Sequence, residues 1–260
     1  MKKILEEIKN QDYESIKKGI AQFLLGELTS SHANGLVLGL SGGIDSAVVA
    51  AICSNFLREK TLAILMPDSE ITPSQETEDA IFLAERFGLK YKIIDIRSIH
   101  YEFNKHLEPN KWALGNLRAR IRANILYYHA NVTTSLVLGS SDKSEFLIGY
   151  FTKYGDGSSD LQPIVSLYKT QIREFARHLG VPAKIIQKKS SPHLWSNHIA
   201  EDELGATYEE IDVILYCMME KKMPPDEILN IVGVRAHVFD KINTLYKNSE
   251  HKRVLARHFI

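Results

Sequence analysis

A short loop, Ser41-Gly-Gly-Ile-Asp-Ser46, contains residue types that bind phosphate groups. Because Gly42 and Gly43 have no Cβ, they can adopt positive φ angles, and successive backbone N–H groups can then line a concave anion site. Ser41 and Ser46 add hydroxyl donors. The loop lacks the Gly-Lys-Ser/Thr ending of a Walker A loop. We therefore predict that it binds a pyrophosphate group rather than serving transfer of a γ-phosphate.

Asp45 places a carboxylate inside this phosphate-binding loop. Its charge alone would repel phosphates, but a carboxylate can hold Mg²⁺, which prefers hard oxygen ligands and also binds phosphate oxygens. The alternative is an ordinary turn in which Asp45 only caps the following helix. Glycine makes up only about 7% of an average protein, so this combination of fixed residues rarely arises by chance. We favour nucleotide binding with Mg²⁺ as cofactor.

The sequence around the loop predicts a strand before it and a helix after it. Apolar residues 36–40 precede the loop, and helix-compatible residues 45–58 follow it. The alternation recurs with strands at 62–66, 91–96 and 135–138 and with helices near 74–87 and from 141–142. This pattern indicates an α/β fold, a Rossmann-like doubly wound and mostly parallel sheet with helices on both faces. Such sheets bind ligands beyond the carboxyl ends of their strands, which is where the loop lies.

The chain is expected to form a single domain with three parts. Apolar residues at helical spacing predict one or two amphipathic helices within residues 1–30. Residues 35–160 form the nucleotide-binding α/β core. Residues 161–260 lack clear strands and contain helices interrupted by prolines, which indicates a helical lobe.

Composition excludes several classes of function. Thirty-two Lys and Arg balance 32 Asp and Glu, so no net field attracts nucleic acid or an anionic membrane. Cys53 and Cys217 lie far apart in apolar helical sequence and suggest neither a disulfide framework nor a zinc site. Neither a signal peptide nor a membrane-spanning apolar run is apparent. We expect a cytoplasmic protein without nucleic-acid or membrane partners.

The loop matches the Ser-Gly-Gly-x-Asp-Ser signature of PP-loop ATP pyrophosphatases, which have an adenine nucleotide alpha-hydrolase-like fold. Further segments closely resemble NAD synthetases, in family order, at residues 115–122, 138–145, 149–157, 202–212 and 250–253. The resemblance implies amidation of deamido-NAD (nicotinic acid adenine dinucleotide) by ammonia, the final step of NAD biosynthesis. ATP would adenylate the carboxylate, and NAD, AMP and pyrophosphate would be the products.

The resemblance also implies a role for individual residues. Asp45 and Glu145 would hold Mg²⁺, Lys169 would neutralise phosphate charge, and Asp156 would hold or deprotonate ammonia. These four are the candidate catalytic residues. The implied ATP contacts are Gly39, Leu40, Ser41, Gly42, Gly43, Ile44, Asp45, Ser46, Ser140, Lys169 and Ser191. The implied contacts with deamido-NAD are Asn116, Arg120, Lys153, Asp160, Glu203, and the pair His251 and Lys252 that would close over the substrate.

Simpler interpretations remain open for several of these residues. Asp156 lies in an Asp-Gly sequence typical of turns. Glu203 could cap a helix, and Glu145 and Lys169 could lie on a helix surface. Arg118 and Arg122 could be solvated, and the His251–Lys252 pair could belong to a disordered basic tail.

One segment departs from the family pattern. Residues 190–195 read Ser-Ser-Pro-His-Leu-Trp, where many relatives have Pro-Ser/Thr-Ala-Asp/Glu-Leu-Trp. Ser191 keeps the hydroxyl expected to contact ATP. Pro192 stiffens the segment and His193 replaces an acid. The polar, proline-broken residues 190–198 and the Gly- and Ser-rich residues 153–160 are both expected to be mobile loops.

The nitrogen source follows from the absence of a glutaminase domain with a nucleophilic cysteine. We expect free ammonia or a separate glutaminase to supply the nitrogen. The resemblance implies a homodimer with sites near the interface. The alternatives are another PP-loop ligase, such as a GMP synthetase ATPase subunit or a tRNA-modifying enzyme, and a nucleotide-binding module without turnover.

Overall fold

A computed structural model describes residues 1–195 and 198–254 of the chain. Within this part, four parallel strands form one sheet in the order β3-β2-β1-β4. The α/β prediction with a parallel sheet is confirmed. The strands are β1 (Gly35–Gly39), β2 (Thr61–Leu65), β3 (Lys90–Ile93) and β4 (Ser135–Leu138).

The α-helices account for most of the remaining described chain. They are α1 (Lys2–Lys9), α2 (Tyr13–Ser30), α3 (Ile44–Phe56), α4 (Ser74–Arg86), α5 (Arg97–Asn104), α6 (Lys111–Thr133), α7 (Lys143–Ile148), α8 (Lys169–His178), α9 (Ala183–Ile186), α10 (Ala200–Leu204), α11 (Tyr208–Met219), α12 (Pro225–Glu227) and α13 (Ala236–Asn248). Short 3₁₀ turns span Arg58–Lys60 and Glu250–Lys252, and a π-helical turn spans Ile228–Val232.

The strands are apolar on both faces because helices cover both sides of the sheet. In β1, Leu36 and Leu38 belong to the main core with α2, α3 and α8. Val37 points to the opposite side and packs with Ile64 and Val137 in a second cluster that includes α6. This burial on both faces explains why the strand sequences are continuous apolar runs rather than alternating patterns.

The two N-terminal helices pack in different places. Ile8 of α1 is fully buried in a cluster formed mainly by α10, α11 and α13. Its carbonyl also accepts a hydrogen bond from Gln171 Nε2 in α8, at 2.9 Å. Leu24 of α2 instead packs against the sheet core. The helical spacing predicted one or two helices here, and the structure has two. The spacing could not reveal that α1 packs in the C-terminal lobe.

The predicted strand boundaries differ from the structure by a few residues at most. The strand at 135–138 is matched, whereas the strand predicted at 91–96 occupies Lys90–Ile93. Leu161, in the segment predicted to lack clear strands, forms an isolated parallel bridge with Leu138. The predicted helical lobe extends to residue 260, and residues 255–260 lie outside the described part. No helix in the described part is long and apolar enough to cross a membrane.

Candidate active site

The serine hydroxyls of the phosphate loop form hydrogen bonds within the loop. The Ser46 hydroxyl accepts a hydrogen bond from Ser41 N at 3.2 Å and donates to the Gly43 carbonyl at 3.1 Å. Gly42 has φ +83°, and a Cβ there would lie 2.5 Å from the backbone oxygen of Glu76. Glycine is therefore required at position 42, since a larger residue there would be strained and would clash with α4, whereas Gly43 has a negative φ of −84°.

The loop forms one wall of a cavity of about 410 Å³. This cavity lies at the carboxyl ends of β1 and β4, between α6, α7 and the segment after α9. β2 and β4 lie on opposite sides of β1. The chain segments that follow β1 and β4 therefore run to opposite sides and leave a crevice at the carboxyl ends of these two strands. Its lining includes many of the residues singled out from the sequence: Gly39, Leu40, Ser41, Gly43, Ile44, Asp45, Ser46, Asn116, Ser140, Glu145, Asp156, Ser191, Glu203 and Lys252.

Lys169 lies just behind this wall and joins the loop to α7. Its Nζ atom lies 2.8 Å from Asp45 Oδ2, 2.8 Å from Glu145 Oε1 and 2.8 Å from Asp142 Oδ2. The Lys169 side chain is fully buried, whereas those of Asp45 and Glu145 are about one-fifth exposed. The structure thus brings Asp45 and Glu145 together around a lysine whose ammonium faces carboxylates rather than the open cavity.

The charges in this cluster do not balance. Burial alone would lower the pKa of Lys169, but the carboxylates of Asp142, Asp45 and Glu145 outweigh it and hold the pKa well above its usual value. Burial raises the pKa of Glu145 to about 8, and Asp142 and Asp45 add repulsion. Burial likewise raises the pKa of Asp142 to about 6. One ammonium is therefore too little positive charge for three carboxylates.

This excess of negative charge fits a divalent cation at the cavity side of Asp45 and Glu145. Both offer hard oxygen donors, the kind that Mg²⁺ prefers. Within residues 1–195 and 198–254, no three His, Cys, Asp or Glu side chains are arranged as a complete metal site. The arrangement suits a cation held by one or two carboxylates together with substrate phosphates, which is the usual mode for Mg²⁺.

The buried network behind Lys169 includes residues that the sequence does not predict as site residues. Asp212 of α11 accepts hydrogen bonds from the Ser144 hydroxyl and from Thr170 N. Ser144 Oγ in turn accepts a hydrogen bond from Lys169 N at 2.9 Å. Asp142 caps α7 by accepting a hydrogen bond from Glu145 N at 2.8 Å. The cap was foreseeable from the predicted helix start, but the contact with α11 joins residues 68 apart in the chain.

Several predicted deamido-NAD residues join three segments beside the cavity. Asn116 Oδ1 accepts a hydrogen bond from Thr152 Oγ1 at 2.7 Å. Arg120 donates to the Lys153 carbonyl at 3.3 Å, and Lys153 Nζ donates to the His251 carbonyl at 2.6 Å. These contacts hold α6, the segment after α7 and the C-terminal 3₁₀ turn together. Arg120, Lys153 and His251 adjoin the cavity lining without forming part of it.

The acidic candidates on this side have different surroundings. Asp156 lines the cavity and accepts a hydrogen bond from Thr152 N at 2.9 Å, and burial raises its pKa. Glu203 also lines the cavity and accepts hydrogen bonds from Tyr150 and His198. Asp160 instead accepts a hydrogen bond from Val137 N at 2.7 Å and does not line the cavity.

Of the two arginines predicted as possible surface residues, Arg118 is buried and Arg122 is half-buried at the cavity. Arg118 is buried and its Nε atom is 2.7 Å from Asp68 Oδ2. Arg122 lines the cavity and donates to the Met66 carbonyl at 3.0 Å. The surface interpretation is therefore wrong for Arg118. Helical spacing could not show whether these arginines are buried, because their partners, Asp68 and the Met66 carbonyl, come from the segment after β2.

The segment that departs from the family pattern covers the cavity near the phosphate loop. Ser191 lines the cavity and its hydroxyl donates to the His198 carbonyl. His193 adopts φ +45°, and its Nε2 atom lies 3.9 Å from Glu76 Oε1. The substituted His193 thus lies beside an acid of α4. Residues 196 and 197 of the predicted mobile loop lie outside the described part.

Comparison with known proteins assigns the family. The family model described as NAD synthase matches residues 16–256. The chain belongs to the NAD synthase family. A relative named NH(3)-dependent NAD(+) synthetase, from Hyperthermus butylicus, is 46% identical over 258 residues, which cover 98% of this chain and 94% of the relative. One from Aeropyrum pernix with the same name is 44% identical over 96% of this chain and 90% of its own.

Two similar solved structures have the same fold. The NH3-dependent NAD synthetase from Campylobacter jejuni, in complex with the nitrate ion, is 33% identical with a TM-score of 0.82 and covers 96% of this chain and 100% of that chain. An NMN synthetase from Francisella tularensis is 32% identical with a TM-score of 0.84 and covers 96% of this chain and 99% of that chain. The NAD synthase fold therefore extends over nearly the whole chain.

Proposed function

We propose that the chain is an ammonia-dependent NAD synthetase, a ligase that forms the carboxamide C–N bond of NAD from deamido-NAD, ATP and ammonia. The curated relatives that carry this name match nearly full length at 46% and 44% identity. The observation that carries the proposal is the meeting of Asp45 in the phosphate loop with Glu145 of α7 at one cavity. This arrangement supports binding of the ATP phosphates at the loop, with space in the same cavity for a second substrate.

The need for ATP follows from the chemistry of a carboxylate. Direct attack by ammonia would have to expel an oxide, so the carboxylate first attacks the α-phosphorus of ATP and pyrophosphate leaves. Ammonia then attacks the acyl carbon of this mixed anhydride, AMP leaves with the former carboxylate oxygen, and a proton passes to a base. Catalysis of both steps depends on placing the reacting groups and balancing charge.

We assign the phosphate end of this reaction to the loop and the acidic cluster. The backbone N–H groups and serine hydroxyls from Ser41 to Ser46 would hold the leaving phosphates. Asp45 and Glu145 would hold Mg²⁺, which would offset negative charge on the phosphates. Lys169 would fix these two carboxylates through its Nζ contacts. Any direct contact of Lys169 with phosphate would require this ion-pair cluster to rearrange, because its ammonium is already enclosed.

The deamido-NAD end is assigned to the opposite side of the cavity. Asn116, Glu203 and Lys252 line it and would contact the dinucleotide. Four further residues lie next to this side of the cavity and would contact deamido-NAD only if the segments that carry them shift slightly: Arg120, Lys153, Asp160 and His251. Asp156, whose pKa is raised by burial, is the proposed group that holds ammonia or accepts its proton.

A homodimer is part of the proposal. α5 and α6 expose large apolar side chains, among them Phe103, Tyr128 and Val132. Phe103 and Tyr128 also line an apolar groove between these helices. Because Asn116 and Arg120 lie on the same α6, pairing of this face in two copies would place each substrate site near the interface. Light scattering on a sizing column tests the dimer directly.

The function is tested by measuring pyrophosphate release and NAD formation with ATP, Mg²⁺, ammonia and an acid substrate. Deamido-NAD, nicotinate mononucleotide and xanthosine monophosphate should be compared. Nicotinate mononucleotide would be the acid precursor for a synthetase that makes NMN. Xanthosine monophosphate is the substrate of a GMP synthetase. We expect deamido-NAD to give the highest kcat/KM. ATP binding without pyrophosphate release for any acid would indicate a nucleotide-binding module.

A further inference from the structure

Lys188, which is not among the site residues predicted from the sequence, lies against the phosphate loop. Its Nζ atom is 3.3 Å from the Gly42 carbonyl oxygen, 2.8 Å from Glu76 Oε2 and 2.6 Å from Asp79 Oδ2. The side chain also lines the cavity. One ammonium therefore contacts the loop backbone, two acids of α4 and the space expected to hold ATP.

The contact with Gly42 constrains the orientation of a peptide plane in the loop. The Gly42–Gly43 peptide is trans, so the Gly42 carbonyl and the Gly43 N–H point in opposite directions. With the carbonyl directed to Lys188, the N–H is directed to Ser41 Oγ, with which it makes a long 3.3 Å hydrogen bond. A phosphate oxygen could replace this hydroxyl as acceptor. The contact with Lys188 thus fixes the Gly43 N–H in an orientation in which it can donate to a phosphate oxygen.

The position of Lys188 also matters for charge. Lys169 is enclosed by three carboxylates and does not line the cavity. The described lining contains three other Lys or Arg side chains: Arg122 and Lys252 donate to backbone carbonyls outside the loop, and Lys189 makes no hydrogen bond to the loop. Lys188 is also paired with Glu76 and Asp79, but unlike Lys169 it lines the cavity. Coulomb attraction grows at short range and in partly buried surroundings, so its ammonium favours phosphate at the loop.

We propose that Lys188 is a positioning residue that orients the Gly42–Gly43 peptide and supplies positive charge to the phosphates that leave ATP as pyrophosphate. This rests on the proposed function, in which pyrophosphate is the leaving group. A purely structural salt bridge between α4 and the segment after α9 would leave phosphate affinity unchanged once the protein is folded.

Lys184 provides a matched control for the structural alternative. Its Nζ atom lies 2.7 Å from Oδ1 of Asp79, the acid that Lys188 also contacts. Its side chain is 51% exposed and does not line the cavity. Lys184→Met therefore removes one lysine from the same acid without removing a group from the loop.

The experiment measures binding of magnesium pyrophosphate by calorimetry, and the KM values for ATP and deamido-NAD, in wild type, K188M, K188R and K184M. Loss of a hydrogen-bonded charge should weaken pyrophosphate binding and raise the KM for ATP by about tenfold to a hundredfold in K188M. We expect the KM for deamido-NAD to stay within about twofold, K188R to recover part of the loss, and K184M to resemble wild type. Thermal unfolding establishes that each variant is folded.

The proposal is overturned if folded K188M binds pyrophosphate as tightly as wild type, or if K184M weakens it equally. It is also overturned if wild type binds no pyrophosphate. A wild type that binds pyrophosphate but makes no NAD would contradict the proposed function. The comparison of K188M with K184M would still decide the role of Lys188, because calorimetry needs no turnover.

Discussion

The Nζ atom of Lys169 lies 2.8 Å from Asp45 Oδ2, although 124 residues separate the two in the chain. This ion pair joins the start of α8 to the start of α3 directly beneath the phosphate loop. Glu145 shares the same ammonium, so the two acids proposed to hold Mg²⁺ are fixed relative to each other before any substrate binds. Preorganisation of this kind lowers the reorganisation needed during the reaction.

Replacing either proposed magnesium-binding acid should remove most of the turnover. Asp45→Asn and Glu145→Gln keep the size of the side chain but remove a charge that faces the cavity. We expect kcat for NAD formation to fall by about 10²-fold or more, as for loss of other groups that stabilise developing charge. Glu102→Gln, which alters an exposed ion pair with Lys105, is the control. Near-normal rates for Asp45→Asn and Glu145→Gln at saturating Mg²⁺ would reject the assignment.

Lys169→Met should destabilise the fold in a manner that depends on pH. Removal of the ammonium leaves the buried Asp142 and the mostly buried Glu145 without a cation, which should cost about 3–5 kcal/mol near pH 8. The folded-state pKa values of these acids already exceed their usual values, so protonation favours the folded state. That stability is present at acidic pH and is lost as pH rises through about 6 for Asp142 and about 8 for Glu145.

Urea unfolding of wild type and Lys169→Met at pH 5.5 and pH 8 measures this effect. The difference in free energy of unfolding should be smaller at the lower pH. Adding Asp142→Asn to Lys169→Met should recover part of the loss at pH 8, because asparagine can still cap α7. A loss independent of pH in the single variant would show that the carboxylates are not the cause.

Much of the local structure follows from the sequence, but the packing of distant segments does not. The Ser41–Ser46 loop was recognisable because glycine spacing and an adjacent strand and helix are local features. The contacts of Asp142 with Lys169, of Asp212 with Ser144 and of Lys188 with Gly42 carry no such mark, since each joins residues far apart in sequence. The same holds for α1, whose apolar face is evident but whose docking site in the C-terminal lobe is not.

Gly42→Ala should disturb the phosphate loop more than Gly43→Ala. Gly42 has a positive φ and no room for a Cβ, whereas the nearest atom to a Cβ at Gly43 is the Ser41 hydroxyl at 3.3 Å. We expect Gly42→Ala to cost about 1–3 kcal/mol of stability and to raise the KM for ATP. Gly26→Ala in α2, where a Cβ meets nothing within 4 Å, should stabilise by about 0.5–1 kcal/mol. Equal effects of the substitutions at Gly42 and Gly43 would contradict the proposed loop geometry.

Lys252→Met should impair deamido-NAD binding more than ATP binding. Lys252 lines the cavity and donates to the carbonyls of Gly149 and Phe151, so it joins the C-terminal turn to the segment after α7. Loss of these charged hydrogen bonds should raise the KM for deamido-NAD about tenfold, with less effect on the KM for ATP. Lys247→Met, on the preceding helix, serves as control. A larger change in the KM for ATP would place Lys252 at the other substrate.

The most direct test of the account follows the oxygen atoms of the substrate carboxylate. Deamido-NAD labelled with ¹⁸O in the nicotinate carboxylate is converted with ATP, Mg²⁺ and ammonia, and the products are analysed by mass spectrometry. Adenylation of the carboxylate predicts one labelled oxygen in AMP and none in pyrophosphate. Unlabelled AMP, or label in pyrophosphate, would contradict the proposed attack on the α-phosphorus at the Ser41–Ser46 loop.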